Sequence, residues 1–163
     1  MGERDAPAAL RSAWDRLGRG RLGRRVFALI IRRLIPYTGA LGAEYEELRP
    51  GYARIALRER RGVRNHLGSI HAVALANLGE VTTGFALMYG APPSVRGILT
   101  GLQIEYVQKA RGRITAQASA EHLDVTSAME QRVTGELTDA AGAVVARVTA
   151  TWRLAPRAGG PPR

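Results

Sequence analysis

The sequence predicts an α+β fold: a curved antiparallel sheet of about six strands wrapped around one long buried helix, with further helices at the N-terminus. Two observations carry this. Between Ile70 and Met88 apolar residues fall on every side of a helical wheel, the mark of a buried helix, over a segment placed at about 69–89. Six shorter runs on either side of it, two before and four after, read as strands, several alternating apolar and polar residues with period two. A single helix without a polar face needs cover all round. A curved sheet supplies most of it, and a second subunit can supply the rest.

Taken in order, residues 1–36 form a basic helical leader. Pro7 suits a first helical turn, and Leu10, Trp14 and Leu17 follow at helical spacing. Gly18, Gly20 and Gly23 interrupt the run. A second helix then carries Phe27, Ile30, Ile31 and Leu34 among its apolar residues, with Arg24, Arg25, Arg32 and Arg33 opposite, and Pro36 closes it. Nine arginines against Glu3, Asp5 and Asp15 give the leader a charge of +6. A basic amphipathic helix can lie on an anionic membrane. The commoner arrangement packs the apolar face on the domain and leaves the arginines in water.

The main domain is expected over 37–155. Glu44 to Leu48 and Tyr52 to Arg58 read as strands turned by Arg49-Pro50-Gly51. The central helix ends at Pro92-Pro93, which cannot continue it. Gly97 to Gln108 places Ile98, Thr100, Leu102, Ile104 and Tyr106 on one face. Arg113 to His122 does the same with Ile114, Ala116, Ala118 and Ala120. Met129 to Thr138 and Ala143 to Leu154 are joined by an Asp139-Ala140-Ala141-Gly142 hairpin turn. Residues 156–163 have the composition of a disordered tail.

At 163 residues the chain is long enough for one domain with a real core. It has no cysteine, which removes disulfides, zinc thiolates and thiol nucleophiles together. The three histidines show no metal-ligand spacing, so no metal is expected. No signal peptide is visible, and the expected location is cytoplasmic. The net charge of +10 comes from 23 Arg and one Lys. That bias fits a GC-rich coding sequence as well as selection for polyanions. With no nucleic-acid motif beside it, nucleic acid is not the expected partner.

Strand pair, long helix and four-stranded run together make the hot-dog architecture. The segments Asn65-His66-Leu67-Gly68-Ser69-Ile70-His71-Ala72, Asn77-Leu78-Gly79-Glu80 and Glu105-Tyr106-Val107-Gln108-Lys109-Ala110-Arg111-Gly112 resemble the hot-dog acyl-CoA thioesterase superfamily in its PaaI-like branch. The closest likeness is to a subgroup catalogued as a domain of unknown function. The resemblance spans about Pro36 to Leu154. Members of that branch carry Asn, then Gly, then His-Gly-Gly at the helix mouth, with an acidic residue nine positions after the His. Asn65, Gly68, His71 and Glu80 fill those places, whereas Ala72 and Val73 stand where the family has glycines. The resemblance implies thioester hydrolysis by a homodimer or dimer of dimers, with coenzyme A as part of the substrate and no separate cofactor.

The chemistry fits those positions. Unpaired N–H groups at a helix N-terminus, here near Ser69 to Ala72, can stabilise an oxyanion. Glu80, a carboxylate inside an apolar helix, is the candidate base or nucleophile. It can also be a structural carboxylate bonded to an arginine or a helix end. Asn65 can orient the carbonyl or water, or simply cap the helix; His71 has a structural reading beside the catalytic one, as has His66. Asn77 and Thr83 lie one turn from Glu80, within hydrogen-bonding range. His71 and Glu80 are roughly 13 Å apart along the helix and point in opposite directions, so a site using both must be shared between subunits. Arg61 and Arg64 near the helix mouth, with Arg60, and Lys109, Arg111 and Arg113 at a hairpin are the cations available for the phosphates of coenzyme A. The rival readings are a non-catalytic acyl- or acyl-CoA-binding module and a basic membrane-surface or nucleic-acid-binding protein, with peripheral membrane contact through the leader.

Overall fold

The structure, a computed structural model, describes residues 6–121 and 124–157. Glu3 and Asp5 of the leader, His122, and the tail from 158 onward lie outside the described residues. Three helices come first: α1 (Ala6–Leu17), α2 (Arg21–Leu34) and the short α3 (Pro36–Ala40). Strands β1 (Glu44–Arg49) and β2 (Tyr52–Arg58) lead through a 3-10 turn at Arg61–Val63 to the central helix α4 (Ala72–Met88). Then follow β3 (Val95–Tyr106), β4 (Arg113–Ser119), β5 (Met129–Thr138) and β6 (Val144–Pro156). β6 therefore runs two residues beyond Leu154, through the Pro156 assigned to the tail from sequence.

The six strands form one antiparallel sheet in the order β1-β2-β4-β5-β6-β3. α4 lies across its concave face, touching every strand. Leu75, Leu78, Val81, Ala86 and Leu87 of the helix are buried with Ile55, Leu57, Ile114, Val133, Leu137 and Val148 of the sheet. Gly79 permits this closeness, because a Cβ there would stand 3.0 Å from Cβ of Val148. The expected hot-dog arrangement of six strands and one enclosed helix is what the chain forms.

The leader completes the core. Phe27 and Ile31 of α2 are fully buried, as are most of Leu10 and Trp14 of α1. Phe27 meets Trp14, Tyr45 and Phe85 edge-on, with ring centroids at 5.0, 5.1 and 6.3 Å. Indole Nε1 of Trp14 donates to the Leu48 carbonyl at 3.0 Å, tying α1 to β1. Arg16, Arg19, Arg21, Arg25, Arg32 and Arg33 are exposed. Among the described residues, no helix is long and apolar enough to cross a membrane.

One register departs from the alternation read in the sequence. The ladder between β3 and β6 shifts between Leu99 and Gly101, so Leu99 opposes Trp152 and Gly101 opposes Thr151. An extra residue at a bulge moves the side chains after it to the other face. Leu99 faces α4 before the shift, and Leu102 and Ile104, opposite buried Ala150 and Val148, face it afterwards. Ile98, expected on the same face as Leu102, turns outward instead and is 65% exposed.

Candidate active site

The mouth of α4 is built by a loop that spends nearly all of its own polar groups. Oδ1 of Asn65 accepts from the backbone N–H of Leu67 at 2.9 Å and of Ser69 at 3.2 Å. Its Nδ2 donates to Ser69 Oγ at 3.1 Å. Asn65 is thus the clasp of the loop, not the helix cap weighed from sequence. The turn also needs Gly68, whose φ of +67° suits few other residues. The cap is His71, whose Nδ1 accepts from Val73 N–H at 3.1 Å, leaving its ring proton on Nε2. Ile70 N–H donates to the Ala110 carbonyl at 2.9 Å and His71 N–H to the Val63 carbonyl at 2.8 Å. Val73, Ala74 and Leu75 N–H all donate back to His71. Ala72 N–H is left without a partner among the described residues. Of the oxyanion donors expected near Ser69 to Ala72, this is the one still open. The Ala72 carbonyl accepts from the Tyr106 hydroxyl at 3.0 Å, which holds the first turn against β3.

Glu80 lies eight residues further, roughly 12 Å along the axis. Its carboxyl is half-buried, and burial pushes its pKa above the usual carboxylate value, with no compensating cation or hydrogen bond to the side chain among the described residues. Thr83, expected within reach of that carboxylate, donates its hydroxyl to the Glu80 backbone carbonyl at 2.8 Å. A hydroxyl on a helix returns most easily to a carbonyl of the preceding turn. Asn77 keeps a buried Oδ1 without a partner, one turn from Glu80.

Glu80 borders an open cavity of about 230 Å³ between α4, β6 and the leader. Val81, Gly84, Phe85 and Met88 form one wall, Trp152 a second, and Leu10 with Ile35 a third. Cβ of a residue at Gly84 would stand 3.0 Å from the Trp152 ring, so this glycine leaves room for the indole. Beyond it, Tyr89 donates to Asp15. Tyr45, on β1, has a buried hydroxyl without a partner; burial first and the charge of Glu80 second push its pKa up. Sequence reading missed Tyr45 and Trp152 as surroundings of Glu80. The signal was present for Tyr45, which alternates with Glu44 and Glu46 and so had to face inward.

The six candidate phosphate-binding cations divide. Arg113 is half-buried and holds Glu44 at 2.9 Å and Glu46 at 2.7 Å. Burial opposes the Glu44 charge, but the hydrogen bonds from Arg58 and Arg113 outweigh it and hold its pKa low. Arg60 donates to the carbonyls of Ala40 and Leu41. Both are engaged in bonds within the chain. Arg64 pairs with Glu59 at 2.6 Å, and Glu59 also accepts from Gly112 N–H at 2.6 Å, which draws the helix-mouth loop and the β3–β4 turn together. That N–H first, and Arg64 second, lower the Glu59 pKa. Arg61, Lys109 and Arg111 are exposed, and none is in an ion pair among the described residues. The described residues contain no cluster of acidic or histidine side chains able to hold a metal.

The model of the family described as a domain of unknown function (DUF4442) matches residues 23–154, from inside α2 to near the end of β6. The chain belongs to the DUF4442 family. No curated protein matches it. Among solved structures, this DUF4442 chain is similar to one named genomics APC5556, with 27% identity and a TM-score of 0.79, covering 93% of this chain and 99% of that one. It is similar to protein PA5026 from Pseudomonas aeruginosa, named a probable thioesterase, with 25% identity, a TM-score of 0.70, and coverage of 82% and 96%. A thioesterase family protein from Silicibacter pomeroyi shares the fold at 16% identity and a TM-score of 0.67, with coverage of 80% and 96%. The DUF4442 fold of this chain is therefore the hot-dog fold of thioesterase-family structures.

Proposed function

We propose that this protein hydrolyses an acyl-CoA or related acyl thioester at a site shared by two copies of the chain. The observation that carries the reading is Glu80, a half-buried carboxylate without a partner among the described residues, bordering an apolar cavity. A group left so costly in a core calls for a role. The names of the similar structures point to the same reaction class. The open donor at Ala72 is too far from Glu80 of the same chain to grip one carbonyl, so the two come from different subunits. β3 supplies the joint: it is a sheet edge twelve residues long, with Ile98, Leu102 and Tyr106 exposed along it. Two such edges pair antiparallel and set the helices side by side.

In this mechanism the thioester carbonyl accepts from Ala72 N–H, aided by the positive end of the α4 dipole. The partner's Glu80 takes a proton from water as the water oxygen attacks the carbonyl carbon. Collapse of the tetrahedral intermediate breaks the C–S bond, and the thiolate leaves with the proton returned by Glu80. The acyl tail lies in the cavity beside Trp152. A cavity of ~150 Å³ holds a benzene ring, so about 230 Å³ admits roughly nine carbons. Arg61, Lys109 and Arg111 meet the phosphates of coenzyme A at the rim.

The test is thiol release from short, medium, long and aryl acyl-CoAs, with wild type beside Glu80→Gln. Turnover that peaks at medium chains and disappears in a folded Glu80→Gln protein is expected. Turnover untouched by the substitution contradicts the mechanism. A second reading, binding without hydrolysis, is favoured by Asn65, whose amide is spent on its own loop. Tight acyl-CoA binding with no thiol release across the panel would select it.

A further inference from the structure

α2 carries two apolar stripes, and the core uses only one. Phe27 and Ile31 are fully buried on the inner face. On the outer face Leu22, Val26 and Leu29 recur at i, i+4 and i+7, so they share one line along the helix. They are 75%, 39% and 63% exposed. Arg33 continues that line, and Arg25 and Arg32 flank it, all three exposed. Along the chain the charge is one-sided: between Asp15 and Glu44 the sequence holds seven arginines and no carboxylate. Glu44 and Glu46, which share a groove with Arg25, are held by Arg54, Arg58 and Arg113.

We propose that the outer face of α2 docks on an anionic lipid surface, with Leu22, Val26 and Leu29 entering the headgroup boundary and Arg25, Arg32 and Arg33 meeting lipid phosphates. Exposed leucines interleaved with arginines fit a surface that is apolar beneath and negative on top. A nucleic acid supplies the phosphates but has nothing for three aliphatic side chains in a row. A second copy is a poor occupant, because like charges would face each other across the contact. Pairing through β3 also leaves this face clear, since α2 packs on β1 at the opposite end of the strand order. The inference is independent of Glu80 and of thioester chemistry.

The experiment is co-sedimentation of the full chain with vesicles of phosphatidylcholine, with and without phosphatidylglycerol. Binding only to the anionic vesicles, weakening as salt rises, is expected. Leu22→Ser with Leu29→Ser should lower the affinity about tenfold or more, as two exposed leucines leave the interface. Arg25→Gln with Arg32→Gln should do the same, while both pairs keep the wild-type melting profile and oligomeric mass. Three results overturn the proposal: no sedimentation with either vesicle, a leucine pair that binds anionic vesicles as tightly as wild type, or a leucine pair that changes the oligomeric mass. Binding of a short DNA duplex that ignores the leucine pair and competes with the vesicles would assign the face to nucleic acid instead.

Discussion

Burial gives the Glu80 carboxyl two measurable consequences. As a general base it must be ionised, and burial raises its pKa. The acid limb of kcat/KM should therefore fall above the ordinary carboxylate range and vanish with Glu80→Gln, which lowers the rate roughly a hundred- to ten-thousand-fold. Stability should move the other way. A carboxyl whose pKa is raised by folding binds more protons folded than unfolded, so its stabilising contribution is whole below the unfolded pKa and is lost as pH rises through the folded one. Glu80→Gln is thus expected to melt higher than wild type at neutral pH and level with it in acid, read by thermal unfolding at both. Gly84 sets the space beside Trp152, and Gly84→Val should cut kcat/KM for medium-chain substrates about tenfold or more while sparing acetyl-CoA. Glu80 was legible in the sequence as the one charged residue of an otherwise apolar helix; Asn65 was not legible in the same way. Its role depends on where the backbone of Ser69 folds back, and residue type alone does not carry that.

Among the elements, period-two runs located β2 to β6, because one buried face writes itself into alternate positions, and the turn at Arg49-Pro50-Gly51 located β1 before them. The face presented by β3 was misread for a physical reason. The bulge near Gly101 exchanges inward and outward sets midway, and the sequence there reads as unbroken alternation. As an edge strand, β3 should respond to charge: Leu102→Lys is expected to give a folded monomer by light scattering, with activity lost. The leader's helices and the packing of their apolar face on the domain were visible in the sequence, but the partners they meet were not, since these are aromatic contacts across the chain. Phe27 touches Trp14, Tyr45 and Phe85, so Phe27→Ala should cost about 3–5 kcal/mol in denaturant unfolding. An unchanged midpoint would mean that the leader is merely laid on the surface.

For the whole molecule, α4 separates the two halves of the proposed chemistry, with the Ala72 donor at its mouth and Glu80 two turns on. In the proposed mechanism, the symmetry of a dimer reunites them. Ala72 offers a clean way to delete one half: it is the first helical residue, and His71 before it has φ −64° and ψ 139°, the extended backbone that a following proline requires. Ala72→Pro therefore removes the N–H while leaving the helix start intact. The decisive measurement mixes Ala72→Pro chains with Glu80→Gln chains, each inactive alone, under conditions where subunits exchange. A shared site places both defects in one site of each mixed dimer and leaves the other whole. Thiol release should then recover to about a quarter of the wild-type rate, half the dimers being mixed and each holding one good site of two. No recovery, with mixed dimers shown to have formed, would place the chemistry within a single chain and contradict the shared site.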